Sequence, residues 1–229
     1  MVIRTINITV AVLIELGRVD YLEALKIQRE IHERRVADEI DDTLILLEHF
    51  PVITIGRGAD KRNLLVSEDE LARRGIKIYQ VERGGDITYH GPGQLVGYPV
   101  FRLREGFVGV RRFVEKIEEV LIQALGEFGI EAGAKERMVG VWVGEKKIAS
   151  IGIAVKNRVT MHGFALNVGS DLNGFQLINP CGLSSQEMTA MQLVLKDGGE
   201  VQMKEVRGAV RRGFEKVFGI VFNRISRAV

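Results

Sequence analysis

The sequence predicts an α/β (α+β) fold, a single domain with a mixed central β-sheet flanked by helices. Three observations carry this. Strand-length runs rich in Ile, Val and Thr recur along the whole chain. Between them lie helix-period segments, the clearest at residues 110–128. No repeat, low-complexity tract or linker interrupts the succession, so residues 1–229 are expected to form one domain.

The elements are expected in the following order. Residues 3–16 form a strand or strand pair. Asp20 and Glu23 have the spacing of a capping box and open a helix running to about Ile40. LILLEH and VITIGR are short strands joined by a tight turn at Pro51. Ser67 and Glu70 cap a short helix that stops at Gly75, and IKIYQV is the strand that follows. QLVGYPVF is another strand, with Pro99 suggesting its end or an edge position. In the 110–128 helix, Val110, Phe113, Val114, Ile117, Leu121, Ala124, Leu125 and Phe128 form the apolar stripe, with Arg111, Glu115, Glu118 and Glu119 mostly elsewhere on the wheel. Residues 139–143 and 147–155 form a hairpin turning at Gly144-Glu145, and Lys156-Asn157-Arg158 turns into VTMHGFALNV. A polar loop carrying the lone cysteine leads to an amphipathic helix over residues 204–218.

One stretch resists this scheme. RGGDITYHGPGQLVGYP, residues 83–99, holds five glycines and two prolines within seventeen residues. A long loop of this composition between apolar flanks is functional far more often than a plain connector. Arg83, Asp86, Thr88, Tyr89, His90 and Gln94 supply polar groups that could converge there. Arg57 points either into that site or into water.

Composition narrows the function. A net charge of +2 in 229 residues gives no basis for nucleic-acid binding. No apolar run reaches the eighteen residues of a membrane span, and the apolar N-terminus suits a strand better than a signal peptide. A single cysteine, Cys181, excludes an internal disulfide framework and fits a reducing, cytoplasmic setting. The histidines are scattered, and there is no metal-spaced cluster and no phosphate-loop motif.

Cys181 is the only candidate thiol nucleophile. A lone cysteine is commonly a small buried hydrophobe, but Asn179-Pro180-Cys181-Gly182 reads as a tight turn rather than a packed segment. A working thiol needs a partner that favours the thiolate, because its ordinary pKa is about 8.5. His90 and a lysine are the candidates. Lys146 and Lys147 are adjacent on a strand, so one faces solvent and the other inward. Six arginines (Arg73, Arg74, Arg102, Arg104, Arg111 and Arg112) offer a basic patch for an acidic partner, or plain solvated charge.

RGGDITYHGPGQLVGYP, KIASIGIAV, TMHGFALNV and INPCG, in that order, resemble the octanoyl-[acyl-carrier-protein]:protein N-octanoyltransferases, also called lipoate–protein ligase B. YLEALKIQ and LILLEHFPVITIGR extend the likeness over nearly the whole chain. The glycine loop alone is less specific, because ATP-dependent lipoate and biotin ligases share the fold. The resemblance implies that Cys181 is the acyl-thioester nucleophile and that Lys147 lowers its pKa and shuttles protons. It implies that Arg83, Gly84, Gly85, Asp86, Ile87, Thr88, Tyr89, His90, Ser150, Ile151, Gly152, Gly163, Phe164 and Ala165 bind the acyl substrate. It implies an octanoyl-acyl carrier protein donor, and as acceptors the lipoyl domains of 2-oxoacid dehydrogenase E2 subunits and the glycine cleavage H protein. It implies no cofactor, no metal, no membrane and a monomer in the cytoplasm. The other readings are an ATP-dependent lipoate or biotin ligase, an octanoyl amidotransferase between lipoyl domains, and a non-catalytic acyl-binding module.

Residue by residue, the amides at Gly84, Gly85, Gly152 and Gly163 could approach an acyl carbonyl as oxyanion donors. His90 and His162 either orient that network or are hydrogen-bonded structural histidines. Tyr89 and Phe164 line the acyl slot or belong to the core. Gly85 is expected to face the ligand, so that Gly85→Ala would spare the fold and abolish transfer.

Overall fold

The computed structural model describes residues 9–103, 109–169, 171–180, 187–195 and 200–224. In chain order the elements are β1 (Thr9–Val19), α1 (Tyr21–Val36), β2 (Thr43–His49), β3 (Val52–Ile55), α2 (Glu68–Arg73), β4 (Lys77–Gln80), β5 (Ile87–His90) and β6 (Gln94–Val100). Then come α3 (Gly109–Gly126), β7 (Gly133–Lys135), β8 (Met138–Val143), β9 (Lys146–Lys156), β10 (Val159–Asn167), α4 (Met191–Val194), α5 (Met203–Phe218) and β11 (Ile220–Arg224). Eight strands make one mixed sheet in the order β11-β1-β2-β6-β10-β9-β8-β7, and β4-β3-β5 make a second, small one.

The large sheet is buried on both faces at its centre, which is why TLILLEH and QLVGYPV read as continuous apolar runs. Alternation divides the side chains. Leu44, Leu46, Leu95 and Leu166 pack under α3 and α5 with Phe113, Ile117, Leu121 and Phe214. Ile45, Leu47, Val96 and Ala165 pack on the other face with Ala24 and Ile31 of α1. Each fully buried Leu, Ile or Phe in these layers contributes roughly 1.5–3 kcal/mol of transfer free energy, so the two helix layers fix where β9 and β10 lie.

Several sequence expectations are met. Asp20 caps α1 by accepting the Leu22 N–H at 3.0 Å, and Ser67 caps α2 through the Glu70 N–H at 3.2 Å. The β8–β9 and β9–β10 hairpins turn at the expected residues, the second through Asn157 and Arg158 at φ 51° and 62°.

Others are corrected. Helix α1 stops at Val36, where Asp38 adopts φ 57°. Pro51 does not close a hairpin between neighbours; there the chain leaves the large sheet for the small one. Part of the glycine stretch is itself a strand, β5, paired antiparallel with β3. Pro99 lies one residue before the end of β6, as the strand-end alternative had it, but in a central strand rather than at an edge. Its missing N–H is tolerated because the β6–β10 ladder runs only from Gln94 to Gly97. Beyond that point the Thr160 hydroxyl takes over, donating to the Pro99 carbonyl at 2.6 Å and accepting the Phe101 N–H at 2.9 Å. Strand β11, parallel to β1, was not foreseen. Among the described residues no helix is long and apolar enough to cross a membrane.

Candidate active site

A cleft of about 440 Å³ opens over β9 and β10, within the size range of small-molecule sites. Most of segment 83–90 lines it, together with Val110 and Val114 of α3 and Met138, Val139 and Trp142 of β8. Ile151, Ile153 and Phe164 add to its apolar lining. Lys147 and Ile153 both line it, six residues apart on β9, so it extends about 20 Å along the strand.

Lys147 is 4% exposed, whereas Lys146 is on the surface, as strand alternation requires. The β8–β9 register shifts between Val141 and Trp142, placing Ile148 as an extra residue beside Lys147, and a bulge of this kind re-aims the neighbouring side chain. The Lys147 ammonium lies 5.5 Å from the centre of the Trp142 ring, over which Lys135 also sits at 4.6 Å. Gly140, at φ 131°, makes room for it: a Cβ there would stand 2.5 Å from Lys147 Cε and 2.5 Å from the Ala149 carbonyl oxygen. The Gly140 N–H donates to Glu118 of α3 at 2.9 Å. Glu118 was expected away from the apolar side of its helix, yet it is only 9% exposed. Burial pushes its carboxyl above the ordinary value, against pulls from the Gly140 N–H and Lys147.

Cys181 lies outside the described residues, but the chain on both sides of it is placed. Upstream, Leu64 bridges Ile178, the Asn179 N–H donates to the Asn63 carbonyl at 2.8 Å, and Pro180 lines the cleft. Downstream, Met188 bridges Lys147 in parallel, and the Thr189 N–H donates to the Lys147 carbonyl at 2.9 Å. Both flanks of the cysteine segment are therefore tied to the cleft.

Arg83 is buried and straps the glycine loop to β3. Its Nη2 donates to the Thr54 carbonyl at 2.7 Å and hydroxyl at 3.0 Å. Gly84, Gly85, Ile87, Thr88, His90, Ser150, Ile151, Gly152, Gly163, Phe164 and Ala165 all line the cleft. Phe164 also stacks against Phe214, so it serves slot and core together. Two expected residues do not reach the cleft. Asp86 turns back to accept the Asp60 N–H at 3.2 Å and a hydrogen bond from Asn63, and Tyr89 packs edge-on against Phe175. The Gly84 N–H is committed to the Ile153 carbonyl at 3.0 Å, which removes it as an oxyanion donor. Gly85 lines the cleft but sits at φ 86°, a conformation that itself calls for glycine. Arg57 is exposed and donates to the Glu82 carbonyl at 2.7 Å, so it belongs to the loop scaffold.

Two histidines, His90 and His162, line the cleft. His90 is buried, its Nδ1–H donating to Gln94 Oε1 at 2.7 Å, and burial lowers its pKa to about 3. Behind it His49 donates from Nδ1 to the Val19 carbonyl at 2.9 Å and accepts the Tyr98 hydroxyl at 2.7 Å; burial lowers it to about 4. Both are neutral near pH 7. Gln94 donates onward to Asn167 Oδ1 at 2.9 Å, and Asn167 donates to the Thr189 carbonyl at 2.9 Å. This buried chain links His90 to the segment beside Lys147. His162 adopts φ 58° and faces Glu82 at 3.8 Å.

Each of the five described arginines of the expected basic patch has a carboxylate partner, although five arginines share three carboxylates. Arg73 and Arg74 pair with Glu70, Arg102 with Asp38, and Arg111 and Arg112 with Glu115; Arg104 lies outside the described residues. Sequence reasoning missed Trp142, Gly140, Glu118 and Asn167. Of these only Glu118 left a usable signal, standing four residues from Val114 and three from Leu121 on the apolar stripe.

Comparison with known proteins identifies the family. Residues 20–215 match the family model for the lipoyl protein ligase A/B catalytic domain. An octanoyltransferase of Caldicellulosiruptor saccharolyticus is 50% identical over 93% of this chain and 90% of its own length. One of Alkaliphilus metalliredigens is 48% identical over 90% and 94%. Among solved structures, a bipartite lipoate protein ligase of Thermoplasma acidophilum superposes with TM-score 0.73 at 20% identity, covering 96% of this chain and 88% of that one. A biotin protein ligase of Aquifex aeolicus gives TM-score 0.52 at 12% identity over 92% and 69%. With its fold shared by the ligases and nearly half its residues by the octanoyltransferases, the chain belongs to the lipoyl protein ligase A/B catalytic domain family, and within it to the octanoyltransferases.

Proposed function

We propose that this protein transfers an octanoyl group from octanoyl-acyl carrier protein to the lysine amine of a lipoyl-accepting domain through a thioester on Cys181. The observation that carries the reading is the buried Lys147 in an apolar-walled cleft, with Pro180 in the cleft wall and Met188 beside the lysine, on the two sides of the cysteine segment. The acyl chain lies against Ile151, Phe164, Val114 and Val139. Lys147 as an ammonium favours the Cys181 thiolate. The thiolate attacks the donor thioester carbonyl; the bond to the phosphopantetheine sulfur breaks, and that sulfur leaves as a thiol with a proton from Lys147. The acceptor amine then attacks the enzyme thioester, the amide forms, the Cys181 thiolate leaves, and Lys147 takes up the amine proton.

The acceptors fitting this chemistry are the lipoyl domains of 2-oxoacid dehydrogenase E2 subunits and the glycine cleavage H protein. The chain acts as one catalytic domain over residues 1–229, as a monomer in the cytoplasm. An ATP-dependent ligase is the main competing reading, supported by the shared fold, whereas identities near 50% to octanoyltransferases favour transfer. Pure protein with octanoyl-carrier protein and a lipoyl domain should give octanoylated acceptor at the same rate with or without ATP. Modification that requires ATP and uses unbound octanoate would replace this reading by the ligase one.

A further inference from the structure

We infer that Glu118 is a positioning residue that sets both the placement and the charge state of Lys147. This rests on the proposed acid–base role of Lys147. A carboxylate only 9% exposed, on α3 but not itself in the cleft lining, needs compensating partners. Among the described residues its hydrogen-bond donor is the Gly140 N–H, at 2.9 Å. Gly140 in turn is the backbone over which the Lys147 side chain passes, leaving no room for a Cβ. Glu118, Gly140 and Lys147 therefore form one stack. Anchoring the amide holds β8 at the separation that the lysine methylenes require, and the carboxylate charge favours the ammonium form. Lys147 in turn acts on Glu118 as an opposite charge.

Other charges surround the pair. Glu115 lies one turn before Glu118 on α3 and opposes its ionisation. Lys135 sits over the Trp142 ring and pairs with Glu145 at 2.6 Å. Glu187 precedes Met188, which bridges Lys147. Lys135 acts against the Lys147 ammonium through their shared ring, and Glu118 is the carboxylate tied by a hydrogen bond to the backbone beneath it.

The test separates charge from hydrogen bonding. Glu118→Gln keeps an acceptor for the Gly140 N–H and removes the charge; Glu118→Asp keeps the charge but is too short to hold the same bond. The readout is the Cε NMR resonance of Lys147 in carbon-13 lysine-labelled protein, assigned by its loss in Lys147→Arg and followed from about pH 6 to 12. Run in the Cys181→Ser background, it does not depend on whether a thioester forms. Glu118→Gln should lower the apparent pKa of Lys147 by about one unit or more, with Glu118→Asp shifting it much less. In the wild-type background the alkaline limb of kcat/KM should move down with it. An unchanged Lys147 titration in folded Glu118→Gln would overturn the inference, and so would equal shifts in both variants. If Glu118→Gln does not fold, Glu118→Asp decides: a Lys147 titration displaced by a full unit despite the retained charge would also overturn it.

Discussion

Lys147 and Lys146 are chemically identical neighbours that the strand sends to opposite environments, one 4% exposed among apolar walls and the other in water. If the buried one is the proton carrier, Lys147→Ala should lower octanoyl transfer by about 100-fold or more. It should also raise the Cys181 thiol toward about 8.5. Lys146→Ala should change rate and stability by no more than about 0.5 kcal/mol. Iodoacetamide alkylation of Cys181 against pH, beside steady-state rates, checks both, and equal losses from the two substitutions would undo the assignment. The histidines make a different demand. His49 and His90 have folded pKa values of about 4 and about 3, below the unfolded value of about 6.5. Between these limits the unfolded chain binds more protons, so stability is complete above about pH 6.5 and is lost as pH falls. Each histidine steepens the loss by up to about 1.4 kcal/mol per pH unit. Urea unfolding at pH 7, 6 and 5 should show this, with a shallower slope in His90→Gln; identical slopes would mean that His90 is not held neutral.

At the scale of elements, the glycine loop is a braid rather than an open connector. The N–H groups of Gly56, Arg57 and Gly58 donate to the carbonyls of Asp86, Arg83 and Gly85 at 3.0–3.1 Å, and Arg83 ties the loop to Thr54. The sequence suggested that Gly85 is kept small for the ligand, but its φ of 86° points to the backbone. Gly85→Ala should therefore cost about 1 kcal/mol or more. Transfer per folded molecule should be largely kept, as melting temperature measured beside acylation rate would show. An unshifted melting temperature with transfer lost would restore the ligand-facing role.

For the whole molecule, what local chemistry controls was legible. The 110–128 periodicity, the caps at Asp20 and Ser67, and the two hairpins depend on neighbours in sequence, and all are present. What depends on distant partners was not. Strand β11 exists because β1 offers it an edge, and β3 joins a different sheet from β2 because β4 and β5 pair with it. Pro99 reads as a strand-end or edge residue, and only the Thr160 hydroxyl shows how it fits near the end of a central strand. The site divided in the same way. Lys147 and most of the loop residues were visible as residue types in telling contexts, and they meet in the cleft. Asp86 and Tyr89 share that loop yet face elsewhere, Asp86 accepting hydrogen bonds from Asp60 and Asn63 and Tyr89 packing on Phe175, both partners distant in sequence. Asn167 touches the site only through other residues, so nothing local marked it, and Glu118, which also acts through others, was marked only by its place between Val114 and Leu121 on the helix.

The central claim, a cysteine-bound octanoyl group, has one direct measurement. Protein mixed with octanoyl-acyl carrier protein without acceptor is quenched in acid and examined by mass spectrometry. The account predicts one octanoyl adduct, located on Cys181, absent in Cys181→Ser, and discharged when a lipoyl domain is added. Full turnover with no adduct at any time point would contradict it.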